Sequence, residues 1–129
     1  MKSNELRIGN YVYFKHCDYD INIPRKINYT KNPNIVGLEG VFQNQIEYNN
    51  IIGISLTKEI LLKCGFYTSD WDDNTSLRLQ ITDYYTLVIN LEFDTYELGD
   101  LDIRKMYYLH ELQNLYFVLT GNELECVGF

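Results

Sequence analysis

The sequence predicts an α+β fold: a small curled N-terminal sheet of SH3-like type, a short central helix, and an antiparallel meander packed by a C-terminal helix. Short runs of β-branched and aromatic residues, separated by Gly and Asn, predict several strands within the first 56 residues. Apolar and polar residues then alternate from Leu77 to Phe93, as in a sheet with one face in solvent. Helical spacing of apolar residues appears twice, after Thr57 and after Tyr108. We expect one domain, with an N-terminal β subregion over 1–56 and a helix, meander and second helix over 57–129.

The N-terminal subregion contains short strand candidates separated by turn-forming residues. The candidates are Tyr11 to His16, Ile35 to Leu38, Val41 to Tyr48 and Ile51 to Ile54. Between the first two, the segment from Asp18 to Asn34 mixes Asn and Pro with scattered apolar residues, and it predicts a long hairpin or an irregular loop.

The central helix is predicted over about Lys58 to Cys64. The Thr57 hydroxyl is suited to cap the first amides, and Gly65 supplies a left-handed stop. Phe66 is expected to fold back on Leu61, the apolar contact of a Schellman ending.

The meander and the last helix complete the prediction. A bend at Asp83-Tyr84 separates two strands, and Gly99-Asp100 is expected to turn the chain into a third strand from Leu101 to Tyr107. A helix from about Tyr108 to Thr120 is expected to lie across the dry face of the meander. The apolar stripe of this helix is predicted to be Leu109, Leu112, Leu115, Tyr116, Val118 and Leu119.

Composition and charge exclude several classes of protein. Hydrophobic residues make up 46% and aromatic residues 15%, too much for a disordered chain. The net charge is −7, with +2 over residues 1–66 and −9 over 67–129. We therefore expect no direct binding to nucleic acid or to an anionic membrane, because both need clustered Lys and Arg.

The cysteines and the chain start favour a cytoplasmic protein. Three cysteines without a CxxC pair do not make a secreted disulfide framework. The first residues lead into no apolar signal segment, and no run is long enough to span a membrane.

Three blocks of the sequence resemble a known family. They are Leu6-Arg7-Ile8-Gly9-Asn10-Tyr11-Val12, Leu56-Thr57-Lys58-Glu59-Ile60-Leu61-Leu62-Lys63-Cys64-Gly65-Phe66, and His110-Glu111-Leu112-Gln113-Asn114-Leu115-Tyr116-Phe117-Val118-Leu119-Thr120-Gly121. These blocks are similar to small proteins of Bacteroidota and their phages. The resemblance implies a bacterial or phage origin and no established activity, cofactor or catalytic residue.

No catalytic, cofactor or metal site is predicted. His16-Cys17 is the one adjacent base and nucleophile, but neighbours on a strand point to opposite faces. Cys64 is expected to be an inert core thiol, and Cys126 to have nothing around it. The segment from Asp70 to Asn74 opens like a calcium loop but lacks the glycine at position six and the glutamate at position twelve.

Two candidate binding sites remain. One lies near the start of the last helix and consists of His110, Gln113 and Asn114. These side chains could bind a small polar ligand or nucleotide derivative, or they could serve only to close the helix end. The second candidate is the acidic half of the chain. Glu92 and Asp94 are expected on the wet face of the meander, with Glu97, Asp100 and Asp102 at the next turn and Asp70, Asp72 and Asp73 around Trp71.

The leading hypothesis is a non-enzymatic accessory protein that contacts a protein partner with a basic surface, Trp71 serving as an aromatic anchor. The alternatives are a protein that binds or sequesters a small ligand, a hydrolase with weaker support, and an acidic face that only keeps the chain in solution. The sequence leaves homo-oligomerisation open.

Overall fold

Two antiparallel five-stranded sheets and a C-terminal helix dominate the chain, a mostly β version of the predicted α+β class. The computed structural model describes residues 5–31, 34–42, 45–68 and 76–129. The chain divides into two units. The first comprises residues 1–55, 108–114 and 129, and the second comprises 56–107 and 115–128.

The first sheet lies in the first unit. Its strands are β1 (Tyr11–Phe14), β2 (Arg25–Lys31), β3 (Ile35–Leu38), β4 (Ile46–Glu47) and β5 (Ile51–Gly53), in the spatial order β4-β3-β2-β1-β5. A 3₁₀ turn, Tyr48–Asn50, connects β4 to β5. The predicted β3 is confirmed, whereas β1 stops at Phe14 and β4 is much shorter than predicted. Val41 donates to the Leu38 carbonyl in a turn, and Phe42 is 96% exposed, so this stretch does not join the ladder.

Strand β2 decides between the two interpretations of residues 18–34 in favour of a hairpin. It pairs with β1 on one side and with β3 on the other. Ile27 is its one buried residue, so its hydrophobic pattern is weak although the strand is central. A loop over residues 15–24 precedes it.

The core of the first unit is built mainly from alternate residues of these strands. Its buried members are Leu6, Val12, Phe14, Ile27, Val36, Leu38, Ile46, Tyr48 and Ile51. Gly53 lies against the ring of Tyr108, where an added Cβ would fall 2.6 Å from ring carbons.

The second unit begins with the predicted central helix, α1 (Lys58–Lys63). The Thr57 hydroxyl accepts a hydrogen bond from the Ile60 amide at 3.2 Å, as expected of an N-cap. Gly65 has a φ of +92°, and the Phe66 amide donates to the Leu61 carbonyl at 3.0 Å. The predicted glycine stop is therefore confirmed, and the backbone of Phe66 returns to the last turn of α1.

The second sheet is a five-stranded meander. Its strands are β6 (Tyr67–Thr68), β7 (Ser76–Gln80), β8 (Thr86–Asn90), β9 (Thr95–Leu98) and β10 (Leu101–Asp102), in the order β10-β9-β8-β7-β6. The predicted β7, the start of β8 and the bend between them are confirmed. The predicted continuation of β8 to Phe93 is wrong, because the Asn90 side chain accepts a hydrogen bond from the Phe93 amide and Asp94 adopts a φ of 54°. The chain turns at residues 91–94 and forms β9, and the predicted strand over 101–107 shrinks to β10.

The last helix, α2 (Leu109–Thr120), has the predicted bounds but a different buried face. Its buried residues are Leu109, His110, Leu112 and Gln113, all in the first unit. Val118 is 80% exposed and Leu119 38% exposed, so the predicted stripe is wrong for these two residues, whereas Leu115 and Tyr116 are half-buried. The idea that the whole helix covers the meander is also wrong, since residues 108–114 group with the N-terminal strands. No helix in the described parts of the chain is both long enough and apolar enough to cross a membrane.

Candidate functional site

The predicted partner-binding residues separate into two groups. Asp70, Trp71, Asp72 and Asp73, and with them the calcium-like motif, lie outside the described residues. Glu92, Asp94, Glu97, Asp100 and Asp102 are all described and all exposed. We call these five residues the acidic edge.

Glu92 and Asp94 do not lie on the wet face of a strand, as predicted, but in the β8–β9 turn. The left-handed conformation of Asp94 closes this turn. Its carboxylate pairs with the Lys105 ammonium at 3.1 Å, and this contact raises the pKa of Lys105. Among the described residues, Asp94 is thus the member of the acidic edge that forms an ion pair.

Glu97 and Asp102 face each other across the last pair of strands. Antiparallel pairing of β9 with β10 puts Asp102 opposite Glu97 and Leu101 opposite Leu98. Residues directly opposite in an antiparallel pair project to the same face, so the two carboxylates stand side by side. Within the described residues, Glu92, Glu97, Asp100 and Asp102 form no ion pair.

Exposed apolar side chains accompany the acidic edge. Leu101, on β10, is 71% exposed, and Phe93, in the β8–β9 turn, is 68% exposed. In the sequence, Phe93 lies between Glu92 and Asp94, and Leu101 lies between Asp100 and Asp102, so exposed apolar and acidic side chains alternate in both places.

The excess of acidic over basic residues lies in one of the two units. The first unit holds six basic and six acidic residues, and the second holds five basic and twelve acidic residues. The formal net charge of −7 therefore belongs to the second unit, which carries the acidic edge.

The amides of the alternative ligand site are occupied by protein groups. Gln113 accepts from the Tyr11 amide at 2.8 Å and donates to the Gly9 carbonyl at 3.1 Å. Asn114 accepts from Arg7 Nε at 3.0 Å and donates to the Glu5 carbonyl at 2.8 Å. Both side chains fasten the segment before β1 to α2.

His110 is fully buried beside these amides. Its ring stacks on Tyr108 with centroids 5.6 Å apart, and its Nε2 lies 3.7 Å from a Glu5 carboxylate oxygen. Neither ring nitrogen has a hydrogen-bond partner among the described residues. Burial lowers the pKa of His110, and the Glu5 carboxylate opposes that effect.

The structure corrects the argument about His16 and Cys17. Strand β1 ends before them, so they lie in a turn and do not alternate across a sheet. Ligand atoms of His16, Cys17 and Asp18 all lie within 4.8 Å of one another. However, His16 Nδ1 already accepts a hydrogen bond from the Asp18 amide at 3.1 Å. The half-buried His16 and the exposed Cys17 and Asp18 offer a partial ligand set for a divalent transition metal.

A cavity of about 950 Å³ lies in the second unit, at the end of α1. Its lining residues are Leu62, Lys63, Cys64, Gly65, Leu79, Tyr116, Asn122, Glu123, Leu124, Glu125 and Val127. His110, Gln113 and Asn114 are not among them.

The prediction that Cys126 has nothing around it is wrong. Its Sγ lies 2.8 Å from the Sγ of Cys64, a residue 62 positions earlier. The C-terminal segment reaches α1 through a backbone hydrogen bond from Val127 to Lys63. Such a long-range contact leaves no periodic signal in the sequence.

Comparison with known proteins gives no relative for the chain: no family model, no curated protein and no solved structure matches it significantly.

Proposed function

We propose that the chain is a non-enzymatic, cytoplasmic accessory protein of bacterial or phage origin that binds the basic surface of a protein partner through its acidic edge. The observation that carries this proposal is the placement of Glu97 opposite Asp102, with no cation paired to either carboxylate in the part of the chain that the structure describes. Like charges directly opposite in a sheet are destabilising. A cationic group of a partner, placed beside the two carboxylates, would attract both of them and offset their mutual repulsion.

The composition of the edge supports a protein partner over a small ion. Interfaces combine apolar or aromatic anchors with a polar rim, and the exposed side chains of Phe93 and Leu101, each flanked by two carboxylates in the sequence, would supply such anchors. Trp71 remains part of the proposal as a further anchor. A partner with Lys and Arg around an apolar patch would complement both features.

The proposal is tested by capture from the lysate of a Bacteroidota bacterium, using the wild type and two double variants. Glu97→Gln with Asp102→Asn removes the facing pair. Glu39→Gln with Glu47→Gln removes two exposed carboxylates from the first unit, and so matches it in charge. A basic protein retained by the wild type and the control, but lost with the edge variant, is the expected result. Equal retention of every captured protein by all three would contradict the proposal.

We further propose that the first sheet is an SH3-like barrel and that the chain belongs with the small Bacteroidota and phage proteins it resembles. The strand order β4-β3-β2-β1-β5 and the 3₁₀ turn before β5 support the first point. An experimental structure tests it through the curvature of this sheet, since an open, flat sheet would be incompatible with a barrel.

A second candidate function, binding of a small ligand, is favoured by the cavity at the end of α1. Its volume is within the range of ligand pockets, ~300–1,000 Å³. Glu123 and Glu125 line it, which disfavours phosphate-bearing ligands. A thermal-shift screen of uncharged compounds tests this function, with Leu79→Trp to fill the cavity. Hits that stabilise the wild type but not Leu79→Trp would support it, and hits indifferent to the substitution would not.

A further inference from the structure

The two sulfurs of Cys64 and Cys126 lie unusually close for thiols. Their separation of 2.8 Å is inside van der Waals contact for two sulfur atoms. Both residues are thiols in this structure. The sulfurs of a disulfide lie ~2.05 Å apart, so bond formation needs an approach of about 0.8 Å.

The surrounding backbone holds the pair in this position. Cys64 is the C-cap of α1, with its amide bonded to carbonyls of the last turn. On the other side, Leu124 is buried, and the Val127 amide donates to the Lys63 carbonyl at 2.9 Å. The hydrogen bond between Val127 and Lys63 is thus adjacent to both cysteines and already joins the two segments.

The two thiols differ in accessibility. Cys64 is buried, and its hydrogen bond with Cys126 together with burial raises its pKa. Cys126 is half-buried and meets solvent first. An oxidant from solution would therefore react at Cys126, with Cys64 placed to resolve the product.

We propose that Cys64 and Cys126 are a reversible modification site, oxidised to an intramolecular disulfide by small-molecule disulfides such as glutathione disulfide. The Cys126 thiolate attacks one sulfur of glutathione disulfide, which forms a mixed disulfide and releases one glutathione thiolate. Cys64 then loses its proton and attacks the Sγ of Cys126, releasing the second glutathione thiolate. The two protein thiols are oxidised, the small disulfide is reduced, and the two protons end on the two glutathione molecules.

The bond would fasten the C-terminal segment to α1 at the cavity. Cys64 lines this cavity, as do Asn122, Glu123, Leu124, Glu125 and Val127 from the C-terminal segment. The disulfide thus fixes one wall of the cavity against another. Reduction of the disulfide releases the covalent link and leaves the non-covalent anchors.

The experiment uses the full chain with Cys17→Ser, which removes the third, exposed thiol. The protein is equilibrated in glutathione buffers of increasing oxidised fraction, quenched by alkylation, and analysed by intact mass and peptide mapping. We expect Cys64 and Cys126 to become protected together, as a linked peptide pair without a glutathione adduct. The same chain unfolded in urea should need a more oxidising buffer, because the anchors no longer hold the sulfurs together.

Two variants separate the proposed steps. Cys64→Ala in the same background should stop at a stable glutathione adduct on Cys126, and Cys126→Ala should leave Cys64 unmodified in the folded protein. The proposal is overturned if both thiols of the folded parent alkylate fully in a buffer that oxidises the unfolded chain. It is equally overturned if Cys126 retains glutathione while Cys64 alkylates.

Discussion

The side chains of Gln113 and Asn114 join the first half of α2 to the N-terminal segment of the chain. Both amides bond to backbone groups of residues 5–11, and Gln113 is buried with donor and acceptor satisfied. Burial of an amide is tolerated when its hydrogen bonds are replaced. The hydrogen bonds of both amides are therefore accounted for by groups of the protein itself.

Leu112 and Val118 test which face of α2 is buried. Leu112 is fully buried, so Leu112→Ala should lower the free energy of unfolding by ~2–5 kcal/mol. Val118→Ala, six residues further along the helix and 80% exposed, should change it by less than about 0.5 kcal/mol. Urea denaturation of both variants measures the difference. Similar losses for the two would restore the stripe predicted from the sequence.

His110 should make stability depend on pH. Its pKa in the folded protein is lowered from the ordinary 6.5 by burial. The unfolded chain therefore binds a proton at His110 more readily than the native chain does. The contribution of the neutral ring to stability is complete above about pH 6.5 and is lost as the pH falls toward the folded-state pKa.

We accordingly expect the free energy of unfolding to decrease between pH ~7.5 and ~5.5. In His110→Phe, the free energy of unfolding should decrease much less over this pH range. In His16→Gln, which changes a more exposed histidine, it should decrease as in the wild type. Chemical denaturation at several pH values provides the measurement. A wild-type slope retained in His110→Phe would assign the dependence to other groups.

At the scale of elements, local chemistry explains which predictions succeed. The N-cap Thr57, the left-handed Gly65 and the return of Phe66 all lie within one short segment, so α1 is readable from neighbouring residues. Strand β9 is not readable in this way. The alternation of Leu87, Ile89, Leu91 and Phe93 continues through a turn that Asn90 and Asp94 close. Turn chemistry overrides hydrophobic periodicity there.

The candidate sites show the same difference between local and long-range information. Acidic residues of the second half were identifiable by type, but the opposition of Glu97 and Asp102 depends on the unpredicted β9. Contact between Cys64 and Cys126 depends on long-range packing of the C-terminal segment. Residue type was thus predictable, whereas juxtaposition required the tertiary structure.

The β9–β10 pair yields a prediction at the element scale. Asp102→Lys places an ammonium opposite Glu97 and should raise the free energy of unfolding by ~0.2–1 kcal/mol. Asp100→Lys changes the net charge equally but lies in the turn between the strands, so its gain should be smaller. The difference between them should shrink in ~1 M salt, where charges are strongly screened. Equal gains for the two variants would point to general charge relief and against a cross-strand pair.

At the scale of the whole molecule, the charge distribution contrasts a neutral unit with an acidic one. The first unit is formally uncharged and the second carries −7. A field of one sign concentrated on part of a surface accelerates encounter with oppositely charged molecules, and salt weakens it. The charge of the second unit, more than the net charge of the whole chain, therefore determines the expected rate of encounter with a basic partner.

Association kinetics with the basic partner proposed above can be measured once capture has supplied that partner. For the wild type, the association rate constant should fall as ionic strength rises. Glu97→Gln with Asp102→Asn should slow association by roughly 2- to 10-fold at low salt and flatten the salt dependence. Glu39→Gln with Glu47→Gln removes an equal number of charges from the neutral unit. It should leave the association rate constant and its salt dependence nearly unchanged. If the two double variants slowed association equally, the net charge of the chain would govern encounter, and the acidic edge would have no special part in recognition.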